Sequence, residues 1–194
     1  MTGGTVLSVF YLKHRVSEDL DFFSEKKEVE PVLIDAFLKK ISPILRIKEI
    51  KRTQFLGLFT YFLVYKDGKS LKVDFNYYPF PRIEKGKKYK SLRIASLYDI
   101  AVDKLHTLFM KPRARDYIDL FFILKERKDY SISKLILDAK TKFDWNIDYI
   151  ELGSQFLRVK DFEEFPKMLR SFNREEMERF FINEAKKLKR EILR

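Results

Sequence analysis

The sequence contains no cysteine, which excludes disulfides, thiolate metal sites and cysteine nucleophiles. Histidine occurs only twice, at His14 and His106, too rarely for a structural zinc site. No stretch approaches the roughly 18 consecutive apolar residues that a membrane span requires. The N-terminus also lacks a basic region followed by an apolar run and a small-residue cleavage site, so no secretory signal is read there. The expectation is a soluble, cytoplasmic protein without a membrane partner.

What is present points to a packed enzyme or binding domain. At 194 residues, 45% of them hydrophobic and 19 of them Phe, the chain can bury an aromatic-rich core as one large or two small domains. Lys and Arg number 40 against 29 Asp and Glu, a net charge of +11 that favours a polyanionic partner. A solvated Lys- and Glu-rich surface of a heat-stable protein would look the same, so charge alone does not separate the two.

The periodicity changes once along the chain. Thr5 to Leu12 reads as a short helix behind the glycine pair Gly3-Gly4, with backbone N–H groups that suit an anion. His14 to Glu18 is a polar connector, and Asp19 to Phe23 is a short strand. Pro31 opens a helix to about Ile44, with Leu33, Phe37, Ile41 and Ile44 on its apolar stripe. Ile47 to Asn76 is strand-like, with Lys66-Asp67-Gly68-Lys69 as a hairpin turn and Ser70 to Asn76 as the partner strand. Tyr77 to Lys90 reads as an exposed loop, and Ser91 to Ala95 as one more short strand. From Ser96, a plausible N-cap, the pattern is helical: Leu97 to Met110 with Pro112 as its stop, Ala114 to Arg127 with Ile118, Phe121, Phe122 and Leu124 inward, Ile132 to Phe143, Asp148 to Phe156, and Glu175 to Leu193. The one boundary drawn is near Ser96, giving residues 1–95 and 96–194.

Side chains two apart on a strand share a face, so Asp19 and Asp21 look one way while Leu20 and Phe22 enter a core. Leu71, Val73 and Phe75 likewise alternate with Lys72, Asp74 and Asn76, which sets Asp74 on a polar face. An Asp-x-Asp triplet alone arises often by chance. With Gly3-Gly4 and Asp74 it makes three carboxylates able to converge beside a phosphate-compatible turn. Such a set suits Mg2+ or Mn2+, hard cations that take oxygen ligands and share them with phosphates, and metal-assisted nucleotidyl transfer needs that arrangement.

Gly3-Gly4-Thr5, His14-Arg15-Val16-Ser17-Glu18-Asp19-Leu20-Asp21, Asp99-Ile100-Ala101-Val102-Asp103-Lys104-Leu105 and Arg113-Ala114-Arg115-Asp116-Tyr117-Ile118-Asp119-Leu120 together resemble the AbiEii/AbiGii toxin family of nucleotidyltransferases. The match runs from Thr2 to about Leu124. It implies an α+β fold, a polymerase-beta-like mixed sheet flanked by helices and followed by a C-terminal helical bundle. It also implies the toxin half of a toxin–antitoxin or phage-defence pair, with an antitoxin partner, that adds nucleotides from an NTP to the 3′ end of tRNA. By the same resemblance Asp19 and Asp21 bind the metal and Asp74 completes the site, assisting the nucleophile as base. Gly3, Gly4 and Thr5 cradle the triphosphate, with Arg15 and Ser17 in the nucleotide-binding set. Lys104 neutralises phosphate charge, and Asp116 sits at the same cleft. Family members generally carry a helix and strand ahead of the glycine turn, whereas here Met1 directly precedes Thr2-Gly3-Gly4; the expectation is a start upstream or a shortened form with frayed glycines.

Each downstream residue also has a plainer reading. Lys104 on a packing helix could face solvent, and Arg115, Asp116 and Asp119 could form ion pairs at a helix start, with Asp119 taken as structural. His14 and Arg15 are read as fixing the connector through hydrogen bonds, with Arg15 alternatively reaching a phosphate. Tyr77, Tyr78 and Phe80 near Lys85, Lys87 and Lys88 could stack a base and hold RNA, or pack at the hairpin edge. The alternative to an enzyme is a non-catalytic basic module that binds RNA or protein; transfer to a protein hydroxyl or a small molecule is a third possibility, since fold does not fix the acceptor.

Overall fold

The computed structural model describes residues 1–192, apart from the side chain of Ile192; Leu193, expected to be helical, lies outside the described residues. Two compact units form: Met1–Thr5 with Ser17–Pro81, and Val6–Val16 with Arg82–Arg194. The change from strands to helices at Ser96 falls inside the second of these.

The first unit is built on a four-stranded mixed sheet. Helix α1 (Gly3–Val6) precedes β1 (Leu20–Ser24), α2 (Pro31–Leu45), β2 (Ile47–Phe55), β3 (Leu58–Tyr65) and β4 (Ser70–Tyr77). The strand order is β1-β4-β3-β2, with β1 parallel to β4 and the other pairs antiparallel. The β3–β4 turn closes as the sequence requires: Gly68 takes φ +82°, and Tyr65 N–H donates to Lys69 O at 2.8 Å. Alternation then sorts the side chains. Tyr61, Leu63 and Val73 are buried against Leu38 of α2, with Leu20, Phe22, Leu71 and Phe75 packed around them. Burial of side chains this size contributes about 1.5–3 kcal/mol each, which fixes the register and leaves the carboxylates on the opposite face.

Helix α2 begins with Pro31 at its first position, as expected, but its inward stripe differs from the one read in the sequence. Of the expected stripe only Ile41 faces the sheet, beside Ile34 and Leu38, whereas Leu33, Phe37 and Ile44 are exposed. Apolar residues lie on both sides of the helix, and the position of the sheet decides among them.

The second unit is helical apart from β5 (Lys88–Tyr89) and β6 (Leu92–Arg93), a two-stranded hairpin. A π-helical segment, Leu7–Leu12, packs against α3 (Leu97–Met110) and α4 (Ala114–Glu126). It replaces the regular helix expected from Thr5 onward. Then come α5 (Ile132–Phe143), α6 (Tyr149–Leu157) and α7 (Arg174–Ile192). Helix α3 packs on α4, α5 and α6, and α7 on α4 and α6. Ser96 caps α3 by accepting from Asp99 N–H at 2.8 Å, and Asp148 caps α6 by accepting from Ile150 and Glu151 N–H at 2.7 and 2.9 Å. Helix α4 is buried from Asp116 to Leu124, which includes Ile118, Phe121, Phe122 and Leu124, the residues read as inward. No helix among the described residues is long and apolar enough to cross a membrane.

Candidate active site

In the first unit the glycine turn is fastened to β1. Thr2 N–H donates to Asp21 O at 3.2 Å in an isolated antiparallel bridge, so the turn is not frayed. The Thr5 hydroxyl lies 2.9 Å from Ser17 Oγ and also meets the Asp19 carbonyl. Gly3 takes φ +79°, and a Cβ built on it would stand 2.7 Å from Asp21 Oδ2. Only glycine satisfies both the left-handed backbone and that approach. The turn is thereby pressed directly onto a carboxylate.

The parallel register sets Asp21 opposite Asp74, and the antiparallel register sets Thr60 opposite Asp74. Cα partners in a sheet project to the same side, so two carboxylates and a hydroxyl occupy one face away from α2. Thr60 Oγ1 donates to Asp74 Oδ1 at 2.6 Å, and Lys72 Nζ reaches Asp74 Oδ2 at 2.5 Å. Both Asp74 oxygens are thus held in place. Asp19 immediately precedes β1 and is partly exposed.

Among the described residues no three His, Asp or Glu side chains gather into a metal-binding group. The donor chemistry of this face nevertheless fits a hard cation. Asp21 and Asp74 offer only oxygens, and Mg2+ is commonly bound through one or two carboxylates completed by phosphates and water. Asp21 and Asp74, with Asp19 two residues before Asp21, are the carboxylates that would hold such a cation.

Other sequence-selected residues meet in the second unit, in a buried ion network. Lys104 Nζ lies 2.7 Å from Asp116 Oδ1 and 2.7 Å from Asp119 Oδ2. Arg15 grips Asp119 through Nε and Nη2 at 2.7 and 2.8 Å, and His14 Nε2 lies 2.8 Å from Asp119 Oδ1. Arg113 Nε donates to Asp116 Oδ2 at 3.0 Å. Burial by itself would raise the Asp119 pKa, but Lys104, Arg15 and His14 hold its carboxyl far below the usual range. Burial likewise opposes the charge on Asp116, and Lys104 and Arg113 outweigh it, so that carboxyl too is lowered. Lys104 runs the other way: burial would lower its pKa, and the two aspartates raise it above the ordinary lysine value. These groups therefore remain charged and mutually committed.

The segment carrying His14 and Arg15 is also tied by its backbone. Leu169 N–H donates to His14 O at 2.8 Å and Val16 N–H to Lys167 O at 2.8 Å. Arg15 and His14 thus fix the connector, while Asp119 accepts more of the network than its reading as a helix-start acid gave it. Tyr78 stacks on Phe23 at 4.7 Å and meets Phe80 edge-on at 4.8 Å, which is the hairpin-edge packing alternative. Thr60 and Lys72 are site neighbours that sequence reasoning left aside. Lys72 shares the strand parity of Asp74, a signal that was available; Thr60 becomes visible only once β3 is paired with β4.

A family model described as "Nucleotidyl transferase AbiEii toxin, Type IV TA system" matches residues 1–192. Two crystal structures share the fold. JHP933 from Helicobacter pylori superposes with a TM-score of 0.62 at 22% identity, covering 98% of this chain and 83% of that one. A second crystal structure, of an H. pylori protein named as a proposed nucleotidyltransferase, gives 0.62 at 23% identity, covering 98% of this chain and 85% of that one. No curated protein gives a significant match.

Proposed function

The chain belongs to the nucleotidyl transferase AbiEii toxin family of type IV toxin–antitoxin systems, and from that premise we propose that it transfers NMP from an NTP to the 3′ end of an RNA, tRNA being the first acceptor to test. The observation that supports this reading most is the register placing Asp21 beside Asp74, with Gly3 pressed against Asp21 Oδ2.

The hydroxyl oxygen of the acceptor attacks the α-phosphorus, the bond to the bridging oxygen breaks, and pyrophosphate leaves with its electron pair. The hydroxyl proton passes to Asp74 or to solvent. Asp19, Asp21 and Asp74 would hold Mg2+ or Mn2+, whose charge would offset that of the triphosphate. Gly3, Gly4, Thr5 and Ser17 flank the triphosphate, and the absence of a Cβ at Gly3 lets the Asp21 carboxylate lie directly against the turn. Thr60 and Lys72 fix the orientation of Asp74. Arg15, Lys104 and Asp116 act as positioning residues within their own network. The partner is a neutralising antitoxin protein, and the setting is the cytoplasm, where NTP and tRNA coexist.

The test is incubation of the protein with Mg2+, each α-phosphate-labelled NTP and total tRNA. Label in RNA that is lost in Asp19→Ala and Asp21→Ala supports the reading; no label above those variants under Mg2+ or Mn2+ overturns it. Salt-sensitive RNA binding that survives Asp19→Ala, without transfer, would identify a non-catalytic RNA-binding module instead.

A further inference from the structure

The loop that joins the strand-rich to the helix-rich part of the sequence is a fixed structure in the second unit. Ile83 and Glu84 N–H donate to the two carboxylate oxygens of Asp99 at 2.9 and 3.1 Å. Asp99 is itself buried and held by the Ser96 hydroxyl at 2.7 Å and by Lys142 at 3.1 Å. A Cβ on Gly86 would stand 1.9 Å from Ile94 O, so at that point the loop backbone lies directly on the chain leading into α3. Ile94 N–H closes the return by donating to Lys87 O at 2.8 Å. Beyond it, Lys88 pairs with Arg93 and Tyr89 with Leu92 in a short hairpin.

This finger carries Lys85, Lys87, Lys88 and Lys90, all exposed. Among the described residues none of the four makes an ion pair with a carboxylate. Tyr89 at the tip is 53% exposed, backed by Phe10 at 5.5 Å between ring centroids. Lys87 lies 4.6 Å over the ring of Tyr11, whose hydroxyl is anchored to Ala95 O at 2.8 Å. Cations interleaved with a supported, half-exposed aromatic ring are what a single strand requires: ammonium groups for successive phosphates and a ring face for a base. An acidic protein segment has no use for the ring.

We propose that residues 82–93 form a preorganised finger that binds single-stranded RNA, with Tyr89 stacking a base and Lys85, Lys88 and Lys90 gripping the backbone. The inference rests on the reading of RNA as acceptor, and it adds where on the chain that acceptor is held. Because Asp99 and Gly86 fix the loop before any ligand arrives, little ordering cost opposes binding.

The test measures fluorescence anisotropy of a labelled single-stranded RNA oligonucleotide with the full chain, without NTP, across a salt series. The triple variant Lys85→Ala/Lys88→Ala/Lys90→Ala should flatten the slope of log K against log salt by about 2, at roughly 0.7 for each phosphate that is no longer neutralised. Tyr89→Ala should weaken binding roughly 5- to 150-fold, with Tyr89→Phe retaining it. Wild-type affinity and slope in the triple variant overturn the proposal, as does competition of anionic phosphatidylserine vesicles with RNA at equal affinity. The two readings fail separately. Finger-dependent RNA binding without any transfer supports the finger and overturns the transferase, whereas transfer with unchanged KM for RNA in the triple variant overturns the finger.

Discussion

Replacing Gly3 with alanine tests how closely the glycine turn and the carboxylate face depend on each other. The added methyl carbon would lie 2.7 Å from Asp21 Oδ2 and 3.4 Å from its Cγ. A normal C···O separation is about 3.3 Å, so the carboxylate or the turn must yield by roughly 0.6 Å. A misplacement near 1 Å at a reacting centre costs about 10²-fold in rate, so about a tenfold loss of kcat/KM is expected here. The backbone adds a separate cost, because φ +79° in a residue with a Cβ is unfavourable by about 1–2 kcal/mol. Gly68→Ala separates the two effects: Gly68 has φ +82°, but a Cβ there meets nothing within 4 Å. Both variants should lose the backbone contribution in urea denaturation, Gly3→Ala more because of its added contact with Asp21, and only Gly3→Ala should lose nucleotidyl-transfer rate. If Gly3→Ala keeps kcat/KM within about twofold of Gly68→Ala, the turn does not position Asp21 for chemistry and the reasoning fails.

Two further perturbations probe the second unit. Asp119→Ala leaves Arg15 and Lys104 buried without their shared carboxylate and should cost about 3–5 kcal/mol in urea denaturation, whereas Arg113→Ala, whose side chain is half exposed, should cost under about 1 kcal/mol; equal losses would mean the network is not the centre of stability there. His106, stacked on Phe143 at 3.9 Å and edge-on to Trp145 at 4.9 Å, has its pKa lowered from 6.5 to about 4 by burial and then by the charge of Lys142. Between those pH values the unfolded chain takes up a proton that the folded chain refuses, so stability is fully present above pH 6.5 and falls on acidification by up to roughly 3 kcal/mol. His106→Phe should remove that loss, and an unchanged stability-against-pH curve over this window would contradict it.

Much of the first unit was legible because period-two alternation carries its own answer. Leu71, Val73 and Phe75 can enter a core only if Asp74 leaves it, and the same holds for Leu20 and Phe22 against Asp21. The cap at Ser96 and the turn at Gly68 were local in the same way. Helix α2 was legible only in part: of Leu33, Phe37, Ile41 and Ile44 only Ile41 faces the sheet, beside Ile34 and Leu38, because apolar residues lie on both sides of the helix and the sheet chooses among them. The ion network was half legible. Asp116 and Asp119, three apart on a helix, must share a face, but nothing local joins Asp119 to Arg15, which lies 104 positions away. Thr60 and Asp74, only 14 positions apart, meet because of the register of the β3–β4 hairpin, which the turn sequence alone does not set.

The central claim, that the face carrying Asp21 and Asp74 is a nucleotidyl-transfer site, is tested most directly by pyrophosphate release coupled to RNA labelling in wild type and in Asp21→Asn/Asp74→Asn. The account predicts stoichiometric pyrophosphate and labelled RNA from the wild type and neither from the folded double variant. Labelling that persists in the double variant, or wild-type protein that binds RNA yet releases no pyrophosphate with any NTP, would contradict it.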